Sequence, residues 1–160
     1  MCRAKIGIEK RHTMAKIRIL LVEDDEDDRY FFRWGIGESG IEAELTAVTD
    51  GRQLMDFLLN VPEPLVPDVI FLDLNMPGMD GKAALQEIRR QKKFSAIPVV
   101  ILSTSTRPKD IEETYKYGAN RYISKTLFYG DSKKWMKKLF AADWRNGLVE
   151  PSRESFAFVD

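Results

Sequence analysis

Cysteine and histidine are almost missing from this chain: Cys2 is the one cysteine and His12 the one histidine among 160 residues. A lone cysteine excludes a disulfide framework and a thiolate metal centre, and it suits a reducing compartment such as the cytoplasm. His12 stands in a basic leader, far in sequence from any acidic motif, and receives no role. Net charge is absent as well. Acids and bases balance at 25 each, so no global field draws the chain to nucleic acid or to a membrane surface. No apolar run approaches the roughly 20 residues that cross a bilayer, and there is neither an internal repeat nor a low-complexity segment.

What is present is a set of short apolar runs, each ending in chemistry. Hydrophobic residues make up 44% of the chain, enough for one well-buried domain and hardly enough for two. Residues 1–15 lack the continuous apolar core of a signal peptide and read as a flexible leader, 16–144 as the domain and 145–160 as a C-terminal tail. Ile17-Arg-Ile-Leu-Leu-Val22 reads as a strand that runs into Glu23-Asp24-Asp25-Glu26-Asp27-Asp28. The later acids suit the first turn of a helix, with Tyr30, Phe31 and Trp34 on its apolar face. A second strand, Glu44–Val48, precedes a helix over Gly51–Asn60 carrying Leu54, Met55, Leu58 and Leu59 at helical spacing. Asp50 and Asp80 read as caps of the helices that follow them.

Val69-Ile-Phe-Leu-Asp73 is a run buried on both faces that stops at one acid before a Pro-Gly turn signal. A helix follows over Gly81–Gln91, then a strand over Ile97–Leu102 ending in Ser103-Thr-Ser-Thr106. Pro108 opens the next helix, a short fifth strand ends at Lys125, and a last helix covers Asp131–Trp144. Five strands alternating with five helices predict an α/β fold: a flavodoxin-like, doubly wound, five-stranded parallel sheet in order 2-1-3-4-5, with helices on both faces. In that order Glu23 and Asp24 stand beside Asp73, and Ser103 and Lys125 approach from the other side.

Three carboxylates at one half-buried edge repel one another, and a hard dication resolves the repulsion. Mg²⁺ takes oxygen ligands, commonly one or two carboxylates with waters and phosphate oxygens. Without nearby histidine or cysteine the set argues against zinc. Asp73 held ionised beside a metal is a nucleophile for phosphoryl groups, with Lys125 supplying charge and Ser103 a hydrogen bond. The plainer alternatives are that Asp25 to Asp28 only cap a helix, that Lys125 is a solvated strand end, that Ser103 is a turn residue, and that Tyr122 is a half-buried strand aromatic. Lys133, Lys134, Lys137 and Lys138 read as the solvated face of a helix.

The ordered set Ile19-Leu-Leu-Val-Glu-Asp24, Leu72-Asp-Leu-Asn-Met-Pro-Gly-Met-Asp-Gly81, Pro98-Val-Val-Ile-Leu-Ser103 and Gly118-Ala-Asn-Arg-Tyr-Ile-Ser-Lys125 resembles the receiver domain of two-component response regulators. The wording around Ser103 and Lys125 is similar to the small regulators that pair with phytochrome-type and other hybrid kinases. The resemblance implies that Asp73 accepts a phosphoryl group from a histidine kinase or histidine phosphotransfer protein. Glu23, Asp24, Asp73 and the backbone carbonyl of Asn75 then hold Mg²⁺ or Mn²⁺, Lys125 contacts the phosphoryl group, Ser103 is the switch hydroxyl and Tyr122 the switch aromatic.

Two positions depart from the family pattern. Thr126 stands where a cis-proline is usual, which implies either a rebuilt trans loop or a strained one. Thr104 follows the switch hydroxyl where Ala or Gly is common, and its bulk narrows access to Asp73. With about sixteen residues after the last helix, the expectation is a stand-alone receiver whose tail is disordered. It would be a cytoplasmic switch that catalyses only its own phosphorylation and a slow dephosphorylation, with an unknown protein target, no nucleic-acid or membrane partner, and homodimerisation left open. The competing reading is an Mg²⁺-dependent aspartyl-phosphate phosphohydrolase. Asn75 stands where haloacid-dehalogenase-like hydrolases carry their second acid, which speaks against it.

Overall fold

Runs of aliphatic and β-branched residues too apolar to face water dictate the sheet. The structure, a computed structural model, describes residues 15–149 and 152–160; residues 1–14 of the expected leader lie outside the described residues. The runs become β1 (Ile17–Val22), β2 (Ala43–Val48), β3 (Val69–Asp73), β4 (Val99–Ser103) and β5 (Arg121–Ser124), all parallel. Between them lie α1 (Glu26–Ser39), α2 (Gly51–Asn60), a 3-10 turn (Glu63–Leu65), α3 (Gly81–Arg90) and α4 (Pro108–Lys116). Every residue of β3 and β4 is buried, which requires helices on both sheet faces. Asp25, Asp50 and Asp80 cap α1, α2 and α3, accepting from the backbone N–H of Asp28, Gln53 and Ala83.

Alternation along the strands divides the core in two. One face buries Leu20, Val22, Ile70, Leu72, Val99 and Ile101 against Leu54, Leu58, Leu85 and Ile88 of α2 and α3. The other buries Ile19, Leu21, Phe71, Val100, Leu102 and Ile123 against Phe32 of α1. That second face also receives the chain after β5, which forms α5 (Lys125–Gly130), α6 (Ser132–Leu139) and α7 (Trp144–Val149). Then come α8 (Arg153–Phe156) and β6 (Ala157–Phe158). Among the described residues no helix is long and apolar enough to cross a membrane.

Several details differ from the sequence expectations. The sheet has six strands, in order 2-1-3-4-5-6, because Ala157 and Phe158 pair in parallel with Tyr122 and Ile123 of β5. An uncovered β5 edge would leave a row of backbone groups unpaired. The tail is held by side chains too: Phe156 is buried against Tyr115 and Tyr122, Phe158 packs edge-on to Trp135 at 5.1 Å, and Arg153 donates twice to Glu112. The expected last helix is broken between Leu139 and Trp144, where Asp143 takes a left-handed φ of 67°.

On α1 the residue that meets the sheet is Phe32, fully buried against Phe71 and Phe128, while Tyr30, Phe31 and Trp34 are exposed at 62%, 49% and 53%. The helix phase is set by Gly35, where a Cβ would stand 2.7 Å from Ser132 Oγ, so α1 crosses α6 at that glycine. Leu59 likewise faces out, at 57% exposure. No described peptide bond is cis. Thr126 therefore follows Lys125 in trans, in a helix α5 that Ser124 caps by accepting from the Leu127 N–H.

Because Phe156 is buried in the core, Phe156→Ala is expected to lower stability by about 3 to 5 kcal/mol in urea unfolding; a tail that merely trailed from the domain would leave the midpoint unmoved.

Candidate functional site

Parallel register brings the strand ends to one edge. Val22 pairs with Leu72, so the next residues along, Glu23 and Asp73, are neighbours; Ser103 pairs with Ser124, which precedes Lys125. Glu23 and Asp73 are buried at 1% and 3% exposure, and Asp24 is exposed at the rim. One carboxylate oxygen from each of these three lies within 4.8 Å of the others. The loop that carries the first two is pinned by Arg29, whose guanidinium donates to the carbonyls of both Glu23 and Asp24 at 2.9 Å. On the other side, α3 begins close against the site strand. A Cβ on Gly81 would stand 2.3 Å from the Asp73 carbonyl, so only glycine fits there.

Lys125 enters this edge from the first turn of α5. Its ammonium contacts Glu23 Oε2 at 2.6 Å, Asp28 Oδ2 at 2.8 Å and Asp73 Oδ2 at 3.3 Å. Burial pushes the Glu23 carboxyl up to about 7, with the Asp73 charge adding to the shift and Lys125 only partly opposing it. Burial also raises Asp73, against Lys125 and the Asn75 N–H that donates to Asp73 Oδ1 at 3.2 Å. Burial alone would lower Lys125; its hydrogen bonds to Asp28 and Glu23 outweigh that and leave it above an ordinary lysine. Two buried acids with raised affinity for a proton are sites where a second cation lowers the electrostatic cost. The all-oxygen donor set of Glu23, Asp24 and Asp73 fits a hard dication.

The hydroxyls sit behind this cluster. Ser103 is fully buried, and its Oγ accepts from the Ser105 N–H at 3.1 Å. Tyr122 is also fully buried and donates its hydroxyl to the Ser105 carbonyl at 2.8 Å, so the aromatic already points inward. Thr104 lies exposed at the mouth and accepts from the Asn75 carboxamide at 3.3 Å, tying together two positions that differ from common family usage or from hydrolase chemistry.

The structure thus brings Glu23, Asp24, Asp73, Asn75, Ser103 and Lys125 to one edge, with Tyr122 one layer behind. Three residues that sequence reasoning passed over take part. Asp28, read as a helix-turn acid, also holds Lys125, and Arg29 clamps the acidic loop. Asp110 accepts from Ser105 Oγ and Arg107 and pairs with Lys82, which also reaches Glu113. The spacing of Asp28 from Asp24 puts it one helical turn further on, a signal that was available but shared by any capped helix.

Comparison with known proteins decides the family. Residues 19–134 match the response regulator receiver domain. The chain belongs to that family. Among its relatives, response regulator Rcp1 of Synechocystis sp. is 37% identical over 114 residues, which are 68% of this chain and 76% of Rcp1. The probable methanogenesis regulatory protein FilR2 of Methanothrix harundinacea is 32% identical over 124 residues, 76% of this chain and 79% of FilR2. Among solved structures, the phosphorylated cyanobacterial phytochrome response regulator RcpA superposes with a TM-score of 0.71 at 32% identity, covering 80% of this chain and 96% of RcpA. The Mn²⁺-bound form of Rcp1 gives 0.69 at 32% identity, covering 85% and 99%.

This receiver is a phosphorylation-dependent switch of two-component signalling. Receivers take their phosphoryl group from histidine kinases or phosphotransfer proteins and bind Mg²⁺ or Mn²⁺ at an acidic pocket.

The Asp110 network links the Ser103 loop to α3, and it has a pH signature. Burial would raise the Asp110 carboxyl, but Lys82, Ser105 and Arg107 hold it down to about 2. A depressed carboxyl adds stability that is complete above its unfolded value near 4 and is lost as pH falls through about 2. Wild type should therefore exceed Asp110→Asn in urea-unfolding stability by about 2 kcal/mol or more at pH 6, and the gap should narrow between pH 5 and pH 2.

Proposed function

We propose that Asp73 is the phosphoacceptor of this receiver. The observation that carries the reading is the placement of one buried carboxylate at the end of β3, with Glu23 and Asp24 within 4.8 Å and Lys125 at 3.3 Å. Asp73 Oδ2 attacks the phosphorus of a phosphohistidine on a kinase or phosphotransfer protein. The new O–P bond forms as the N–P bond breaks, and the imidazole leaves. The Asn75 N–H holds the other carboxylate oxygen, and Lys125 is placed to neutralise the phosphoryl oxygens. Glu23, Asp24, Asp73 and the backbone carbonyl of Asn75 would hold Mg²⁺ or Mn²⁺. When bound, the ion neutralises charge that builds on the transferred group. In support, RcpA is known in a phosphorylated form and Rcp1 in an Mn²⁺-bound form.

Ser103 is the switch hydroxyl in this reading. When its Oγ turns to the phosphoryl group it gives up the Ser105 N–H, and Tyr122, hydrogen-bonded to the Ser105 carbonyl, responds. Residues 16–144 form the receiver unit, in the cytoplasm, and 145–160 a tail. The receiver acts alone, a reading supported by the near-complete coverage of RcpA and Rcp1 rather than by where this sequence stops. Its downstream target is a protein, and a second copy of the chain is one such partner. It is a switch and not a phosphohydrolase: the Asn75 carboxamide two residues after Asp73 donates to Thr104 and does not ionise, so it cannot act as a general acid or base and the acyl phosphate turns over slowly.

Incubation with Mg²⁺ and acetyl phosphate, followed by intact-mass measurement, is expected to add one phosphoryl group to wild type and none to Asp73→Asn. An equal adduct on the variant would remove Asp73 from the role, and rapid donor consumption without an adduct would favour the hydrolase.

A further inference from the structure

The Lys125 ammonium has three donors and three carboxylates around it, and the contacts are unequal. Glu23 and Asp28 stand at 2.6 and 2.8 Å, whereas Asp73 stands at 3.3 Å. The ammonium is therefore drawn toward α1 and away from the residue that reacts. Asp28 is well placed to do the drawing. Its backbone N–H is fixed by the Asp25 cap at 2.9 Å, and its carbonyl accepts from the Tyr129 hydroxyl at 3.2 Å. Tyr129 in turn packs edge-on to Phe128 at 5.3 Å and against Phe31 at 6.2 Å. The side chain of Asp28 is half-buried and comes from the third residue of a capped helix, so the carboxylate is held in place.

We propose that Asp28 is a positioning residue that keeps Lys125 from closing further on Asp73, and so leaves the Asp73 oxygens open to a divalent cation at the Glu23, Asp24 and Asp73 cluster. The inference rests on the reading of those three residues as cation ligands. Without Asp28, the ammonium loses one of its two shorter contacts and settles on Glu23 and Asp73, where its charge competes with the incoming ion. A helix-turn acid with no such task would act only through the dipole of α1, and its loss would leave Mg²⁺ affinity nearly unchanged. Asp27 supplies the comparison: it is a neighbouring acid in the same turn, exposed, and without a contact to Lys125 among the described residues.

The test is calorimetric titration of the full chain with MgCl₂ for wild type, Asp28→Asn, Asp28→Glu and Asp27→Asn, with urea unfolding to verify that each is folded. The expected result is Mg²⁺ binding weakened about tenfold in Asp28→Asn, the scale of one lost hydrogen bond between charged groups. Asp27→Asn should change it by less than about twofold, as an exposed charge does, and Asp28→Glu should recover most of the wild-type affinity. Equal affinity in Asp28→Asn and Asp27→Asn, or no recovery by Asp28→Glu in a folded protein, would overturn the role of Asp28. Failure of wild type to bind Mg²⁺ would instead overturn the ligand reading beneath it.

Discussion

One buried ammonium makes the acidic edge tolerable. Glu23 and Asp73 are almost fully buried acids, and carboxylates withdrawn from water are costly unless a positive charge answers them. Lys125 answers both, together with Asp28, from the first turn of a helix that begins where β5 ends. Because one ammonium contacts all three acids, the loop after β1, the end of β3 and the start of α5 are tied to one another through the same atom. The answer is incomplete, because three carboxylates share one ammonium and Asp24 adds a fourth negative charge beside them. The remaining negative charge is what a divalent cation would neutralise.

The sheet serves this arrangement by register. Fully buried parallel strands cannot slip by one residue without turning apolar side chains out, so the residue that follows each apolar run is delivered to a fixed place. Close approach of α3 through Gly81 and crossing of α1 over α6 through Gly35 bring the helices in to matching depth. Behind the reacting edge, Ser103, Ser105 and Tyr122 form a relay of hydrogen bonds that continues through Asp110 to Lys82 on α3. The proposed phosphoryl site at Asp73 and the surface formed by α4, β5 and β6 are thereby joined through one loop. The tail packs on that same surface, with Phe156 beside Tyr122.

Much of this was legible in the residues because it depends on period and punctuation. The strands, their order, the three aspartate caps and the meeting of Glu23, Asp24, Asp73, Ser103 and Lys125 all follow from apolar runs and what ends them. Where sequence reasoning missed, the deciding force was tertiary. The face of α1 was misjudged because Tyr30, Phe31 and Trp34 are more apolar than Gly35 and Ser132, yet it is the small pair that sets the crossing. The sixth strand is only two residues long and earns its place through Phe156 and Phe158, whose partners are distant in the chain. Asp28 was hidden among acids that looked alike, since its difference lies in the lysine it touches.

In the proposed reading, this edge makes Asp73 the residue that carries the phosphoryl group. Borohydride reduces an acyl phosphate to an alcohol, so trapping the protein after treatment with Mg²⁺ and acetyl phosphate, then sequencing its peptides by mass spectrometry, locates the modified side chain directly. Homoserine is expected at position 73, with Glu23, Asp24 and Asp28 unmodified. Reduction at any of those three acids, with Asp73 intact, would contradict it.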